Sequence, residues 1–453
     1  MDTRNLMDLD VVAASSLIRS GALKPSDLVR FCLHRLEEYG GRLNCTLHIA
    51  ENALAEAEER DAEAAAGNFR GRLHGIPVLV KDNVDVAGMP TTVGSRIFAE
   101  AGPAGRDAPV VERLRDEGAI ILGKTNMDEF AAHVSGRTSC AGPAVNPWGL
   151  DKNLSPGGSS SGSAAATAAG CCWVALGTDT GGSVRLPASW CGLYGLRPTH
   201  GSTALDGVYP RAASMDVVGA FTRSSRDLAL VFGVLAGHRQ SLPDVPEGRE
   251  WRIGIVPGLL DGAPEAVRAA WQESLARWKG RARVVELEFP LLESRDIADT
   301  VDLIRSHEFA RDVRKDIEAF PGAEAVVHPG AFADYRKGLG VSPAQYEAAL
   351  DRAREAGRDV ESLFDTYGLD FLLLPVARMT APSNDAPAET FGAARSLVNL
   401  FSITGQPTLV VPGAPADGMP FGIQLVGRRK SEPVLFAAAR DYDRGWGPAR
   451  VPF

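Results

Sequence analysis

The feature that most limits how this chain can fold is a series of short, wholly apolar runs. Ile76-Pro77-Val78-Leu79-Val80 is the first, Ala119–Leu122 the second and Trp173-Val174-Ala175-Leu176 the third. Ile253–Val256, Val284–Leu287, Phe371–Leu374, Leu409–Val411 and Ile423–Val426 continue the series. Runs this short, bounded by turn residues, read as buried strands. Helical stretches such as Val110–Glu117 lie between them. Strands alternating with helices imply an α/β fold with a substantial parallel or mixed sheet.

Residues 7–66 read as helices. Leu17, Leu28, Cys32 and Leu36 fall near a 3.6-residue period, Pro25 suits a first helical turn, and Ala53–Ala66 is rich in Ala and Glu. Residues 1–70 are therefore expected to form a helical segment packed on the core. Residues 71–453 should form the main domain, with a helical insertion at about 262–365 that Pro321, Pro329 and Pro343 interrupt. No repeat or disordered linker divides the chain.

Charge excludes some functions. The net charge is -9, and no block of Lys and Arg could track a phosphate backbone, so nucleic acid is not expected as a direct partner. The run Gly427-Arg428-Arg429-Lys430 reads as a solvated turn. No stretch approaches the roughly 20 apolar residues that span a bilayer. The start, MDTRNLMDLDVV, has no basic region followed by an apolar one, so a cytoplasmic location is expected. The six cysteines form no CxxC pair and are expected to be free thiols.

Two motif matches mislead. Gly118-Ala-Ile-Ile-Leu-Gly123-Lys124-Thr125 fits GxxxxGK[ST], but its central residues read as a strand where a phosphate loop needs a turn. Gly158-Ser159-Ser160-Ser161-Gly162 fits GxSxG, but a nucleophile elbow needs an apolar strand directly before it, and Leu150–Pro156 is polar and Pro-broken.

A longer pattern is far more specific. Pro156–Gly170 is a run of small residues. It is followed by Ala175-Leu-Gly-Thr-Asp-Thr-Gly-Gly-Ser183-Val-Arg185-Leu-Pro187, then Cys191-Gly192 and Gly195-Leu-Arg-Pro-Thr199. This closely resembles the Gly/Ser-rich signature of the amidase signature family. Gly75-Ile-Pro-Val-Leu-Val-Lys81-Asp82, Gly123–Phe130, Asn146-Pro-Trp148, Thr404-Gly-Gln-Pro407 and Pro420–Gly427 resemble further landmarks of that family.

The resemblance implies an α/β fold with a central mixed β-sheet covered by helices on both faces, and an amidohydrolase that cleaves the C–N bond of a small amide through an acyl-enzyme. Ser183 would be the nucleophile, Ser159 the bridging serine on a cis Gly158–Ser159 peptide, and Lys81 the ultimate base. Backbone N–H groups of Thr180, Gly181, Gly182 and Ser183 would form the oxyanion hole, since adjacent glycines allow unusual φ values and close approach. Burial at the end of a strand should lower the lysine pKa, and alternation along the strand should turn Asp82 away. Asp179 should hold the glycine turn. Cys191 reads as a packing thiol. His133, Arg185 and Ser160 are candidate substrate contacts, each weighed against a structural role: a satisfied histidine, a loop anchor and a supporting serine. Neither a metal nor an organic cofactor is expected.

The partner expected is a small-molecule amide, and a homodimer is left open. Specificity is expected to lie in 302–335 and 377–402, which hold Arg305, His307, Glu308, Arg311, Tyr335, Arg378 and Arg395. A stand-alone amidase is favoured over the glutaminase-type component of a tRNA-dependent amidotransferase. The aspartate that would bind the glutamine amino group is not evident, and Arg395 lies near its place. A catalytically silent scaffold is the contrasting class.

Overall fold

In the computed structural model, residues 6–238, 245–246, 248–444 and 451 are described. Every apolar run named above falls on a strand. The strands are β1 (Thr46–Ile49), β2 (Pro77–Lys81), β3 (Ile120–Thr125), β4 (Val174–Asp179), β5 (Tyr194–Arg197), β6 (Val217–Thr222), β7 (Trp251–Ile255), β8 (Ala282–Glu286), β9 (Phe371–Pro375), β10 (Thr408–Pro412) and β11 (Gly422–Val426). They form one 11-stranded sheet in the order β1-β3-β2-β4-β6-β5-β10-β11-β9-β7-β8. It is mixed: β2 runs parallel to β3 and β4, whereas β4, β6, β5, β10, β11 and β9 follow one another antiparallel.

Both faces of the sheet are covered. Every residue of β2, β3, β4, β5, β6, β9, β10 and β11 is buried, although alternate side chains point to opposite faces. The helix Ser161–Ala168 packs against β4 and is built from Ser, Gly, Ala and Thr, all of them buried. Small side chains let it lie close to the sheet. Ser163 Oγ reaches the Leu176 carbonyl of β4 at 2.7 Å.

Two local expectations need correction. The stretch 7–66 is not wholly helical: between the helices Pro25–Arg35 and Ala53–Ala65, β1 pairs antiparallel with β3 at the sheet edge. Its sequence, Thr-Leu-His-Ile, is too short for its alternation to stand out. Pro329 and Pro343 do not break helices but begin them, at the first turn of Pro329–Leu339 and Pro343–Tyr367. Gly123-Lys124-Thr125 of the false phosphate loop ends β3.

Candidate active site

Lys81 closes β2 and is completely buried. Its Nζ lies 2.7 Å from Ser159 Oγ and 2.8 Å from Thr178 Oγ1. Burial disfavours the ammonium and pulls the amine down to about 7, while the carboxylates of Asp128, Asp179 and Asp216 act in the opposite sense. Asp82 does turn away. It accepts hydrogen bonds from the Thr92 N–H at 3.0 Å and from the Thr92 hydroxyl, and it lies 3.2 Å from Lys124 Nζ.

Ser159 follows a cis Gly158–Ser159 peptide. Its carbonyl accepts the Asp128 N–H at 3.1 Å. The Asp128 carboxylate in turn binds the loop beyond it, accepting from the N–H groups of Gly136, Arg137 and Thr138 at 2.8, 3.0 and 3.1 Å. Ser183 stands at the end of the turn after β4. The Ser160 N–H donates to the Ser183 carbonyl at 3.3 Å, which joins this turn to the loop carrying Ser159.

Asp179 organises the turn. Its carboxylate accepts from the N–H groups of Gly182 and Val184 at 2.9 and 3.0 Å, and from Arg185 Nη2 at 2.8 Å. Arg197 Nη1 lies 3.3 Å away. Burial alone would raise this carboxyl group, but the two guanidiniums and the backbone donors hold it well below the usual range.

Three of the expected site groups are already engaged within the protein. The Gly182 N–H is occupied by Asp179, while those of Thr180, Gly181 and Ser183 have no partner among the described residues. Arg185 is wholly buried and anchors the turn, bound to Asp179, to the Val398 carbonyl at 2.7 Å and to Ser402 Oγ at 2.7 Å, in keeping with the loop-anchor reading. The Ser160 hydroxyl donates to the Thr178 carbonyl at 3.2 Å and accepts the Thr178 N–H at 3.3 Å, which ties it to β4.

His133 lines a cavity of about 200 Å³ together with Arg137, Arg305, His328, Asp334 and Arg395. Its ring packs edge-on against His328, and burial pulls its imidazole down to about 4, so it is neutral at physiological pH. Of the residues flagged in 302–335 and 377–402, Arg305 and Arg395 reach this cavity. His307 stacks on Tyr346, Glu308 accepts the Tyr346 hydroxyl at 2.7 Å, Arg311 pairs with Asp312, Tyr335 packs against Phe332, and Arg378 binds the Leu259 carbonyl. Cys191 is a buried thiol held against the Pro156 carbonyl.

Thr178 was missed in the sequence. Its oxygen accepts from Lys81 and, at 3.1 Å, from Asn83 Nδ2. Strand register contained the signal: Val80 pairs with Leu176, so Thr178 lies just beyond the level of Lys81 on the neighbouring strand.

The chain is similar to known proteins over nearly its whole length. A family model described as Amidase matches residues 27–436. The A-type subunit of the glutamyl-tRNA(Gln) amidotransferase from Anaeromyxobacter sp. (strain K) is 35% identical, over 99% of this chain and 98% of that protein. A solved amidase superposes with a TM-score of 0.87 at 32% identity, covering 97% of this chain and 100% of the other. The peptide amidase of Stenotrophomonas maltophilia gives 0.87 at 30% identity, covering 98% and 99%.

Proposed function

We propose that this chain, which belongs to the amidase family, hydrolyses a small amide through an ester on Ser183. The observation that carries the reading is the contact of 2.7 Å between Ser159 Oγ and a fully buried Lys81 whose amine is held down to about 7. A lysine free in water is almost fully charged at neutral pH and cannot take a proton. Here a large fraction is neutral and can.

The reaction follows from the groups present. Ser183 Oγ attacks the amide carbon while its proton passes to Ser159 and the Ser159 proton to Lys81 Nζ. The N–H groups of Thr180, Gly181 and Ser183 bind the oxyanion. The C–N bond then breaks, the leaving nitrogen takes a proton back through the relay, and ammonia or an amine departs. Water attacks the ester by the same route, releasing the carboxylic acid and restoring Ser183.

A fluorophosphonate probe followed by mass spectrometry of the peptides tests this. Labelling is expected at Ser183. Labelling at Ser160 would revive the elbow reading, and no labelling at all would favour a silent scaffold. Thr178→Val gives a second test. It removes one acceptor that favours the protonated amine, so kcat should fall about tenfold and the acidic limb of the pH profile should move to lower pH. If neither moves, Thr178 does not position the lysine.

A second reading is favoured by the 35% identity to an amidotransferase component across nearly the whole of both chains. In that reading, the chain is a glutaminase that supplies ammonia from glutamine within an assembly. Measuring ammonia release from glutamine by the isolated chain, beside simple amides, separates the two. Activity on simple amides without any partner supports the stand-alone enzyme.

A further inference from the structure

The cavity beside His133 has an excess of positive charge that its own residues do not satisfy. The Arg395 guanidinium makes no ion pair and no side-chain hydrogen bond among the described residues, and its Nε is buried without a partner. Burial and the neighbouring Arg305 pull Arg395 down to about 9, which still leaves it charged at neutral pH. Arg305 is nine-tenths buried. One of its nitrogens, Nη2, meets Asp302 at 2.5 Å and lies 4.0 Å from Asp334, while its Nε and Nη1 have no partner.

The nearby anions are already shared. Asp334 lies 2.5 Å from Arg211, and Asp302 is also bound by Lys337. Arg137 is held by the carbonyls of Asn384 and Ala386 at 2.7 and 2.6 Å. His133 and His328 are pushed toward the neutral form by burial. Leaving guanidinium donors buried and unpaired is costly, and a planar carboxylate is the group their fork fits best.

Both walls of the cavity connect to the reacting serines. The Val398 N–H donates to the Arg395 carbonyl at 3.0 Å, and the Val398 carbonyl accepts from Arg185 in the nucleophile turn. Val398 also abuts Gly182, where an added Cβ would come within 2.8 Å of its Cγ2. On the other wall, the loop holding His133 is bound by Asp128, whose N–H meets the Ser159 carbonyl.

We propose that this cavity receives a carboxylate on the acyl side of the substrate, bound by Arg395 and Arg305, so that the amide cleaved is a monoamide of a short dicarboxylic acid. The proposal rests on the reading of Ser183 as nucleophile. At about 200 Å³ the cavity suits a carboxylate on a few methylenes and not a large acyl group. A substrate ammonium near Arg395 would be repelled, so such a monoamide should be preferred to glutamine.

Ammonia release from succinamate and glutaramate, compared with their uncharged isosteres succinamide and glutaramide, tests it. The monoamides should have kcat/KM higher by about 10–100-fold, the range of a charge-assisted hydrogen bond. Arg395→Met should bring that ratio toward one, mainly through KM, and Arg305→Met should do so independently. Calorimetry with the Ser183→Ala protein separates binding from chemistry: glutaramate should bind, glutaramide should bind more weakly, and Arg395→Met should remove the difference. Equal turnover of charged and neutral amides, or a ratio that both arginine variants preserve, overturns the proposal. Selective glutaramate binding without turnover or fluorophosphonate labelling would instead overturn the role of Ser183.

Discussion

Lys81→Met yields a folded protein whose amide hydrolysis near neutral pH is slower by about a thousandfold, within the range lost with a general base. Methionine resembles the lysine stem in length and suits a completely buried position. What disappears is the one nitrogen, among the described residues, within reach of Ser159 Oγ that can take its proton. In the native protein, kcat/KM should rise with pH through about 7 and level off above it, because the neutral amine is the active form. Stability carries the same signature. Between about 7 and the ordinary lysine value of 10.5, the unfolded chain holds a proton on Lys81 that the folded chain lacks. Stability from this group therefore rises with pH across that window and is flat below it. Chemical denaturation at the two ends should show a slope in the native protein that the methionine variant loses. Full activity in Lys81→Met, or a pH profile flat through 7, would remove the lysine from the relay.

Asp179→Ala should cost stability on the order of 3–5 kcal/mol, the cost of breaking a buried ion pair by removing one partner. The carboxylate is wholly buried and is shared by two wholly buried guanidiniums, Arg185 and Arg197. Alanine would strand both cations and also release the N–H groups of Gly182 and Val184. The turn that presents Ser183 should therefore lose its shape along with the fold. Asp179→Asn keeps acceptor capacity but not charge, so it should be milder. Urea unfolding monitored by circular dichroism measures both, and a loss below about 1 kcal/mol for alanine would show that the arginines find other partners.

The strands were legible because burial on two faces leaves uninterrupted apolar letters, as in Phe371–Leu374 and Ile423–Val426. Lys81, Ser159 and Asp179 were also legible, since each stands where a strand ends or a glycine-rich turn begins. Thr178 was not, because its importance comes from strand register and not from chain neighbours. Nor was the engagement of the Gly182 N–H. A sequence shows which donors exist near a serine but not which of them an aspartate has already claimed. Arg305 and Arg395 lie far apart in the chain. That they share one cavity follows from helix packing, which no local pattern encodes.

The two outermost strands set a limit on how copies of this protein can associate. At one side β1 is short, half-exposed and shifted in register between Thr46 and His48. At the other, β8 places Arg283 and Glu286 among exposed residues. Brevity, an irregular ladder and charge are the devices by which open sheet borders refuse a new neighbour. Both borders are poorly suited to continuing the sheet from one molecule into the next, although Val284 is exposed on β8 beside its charges.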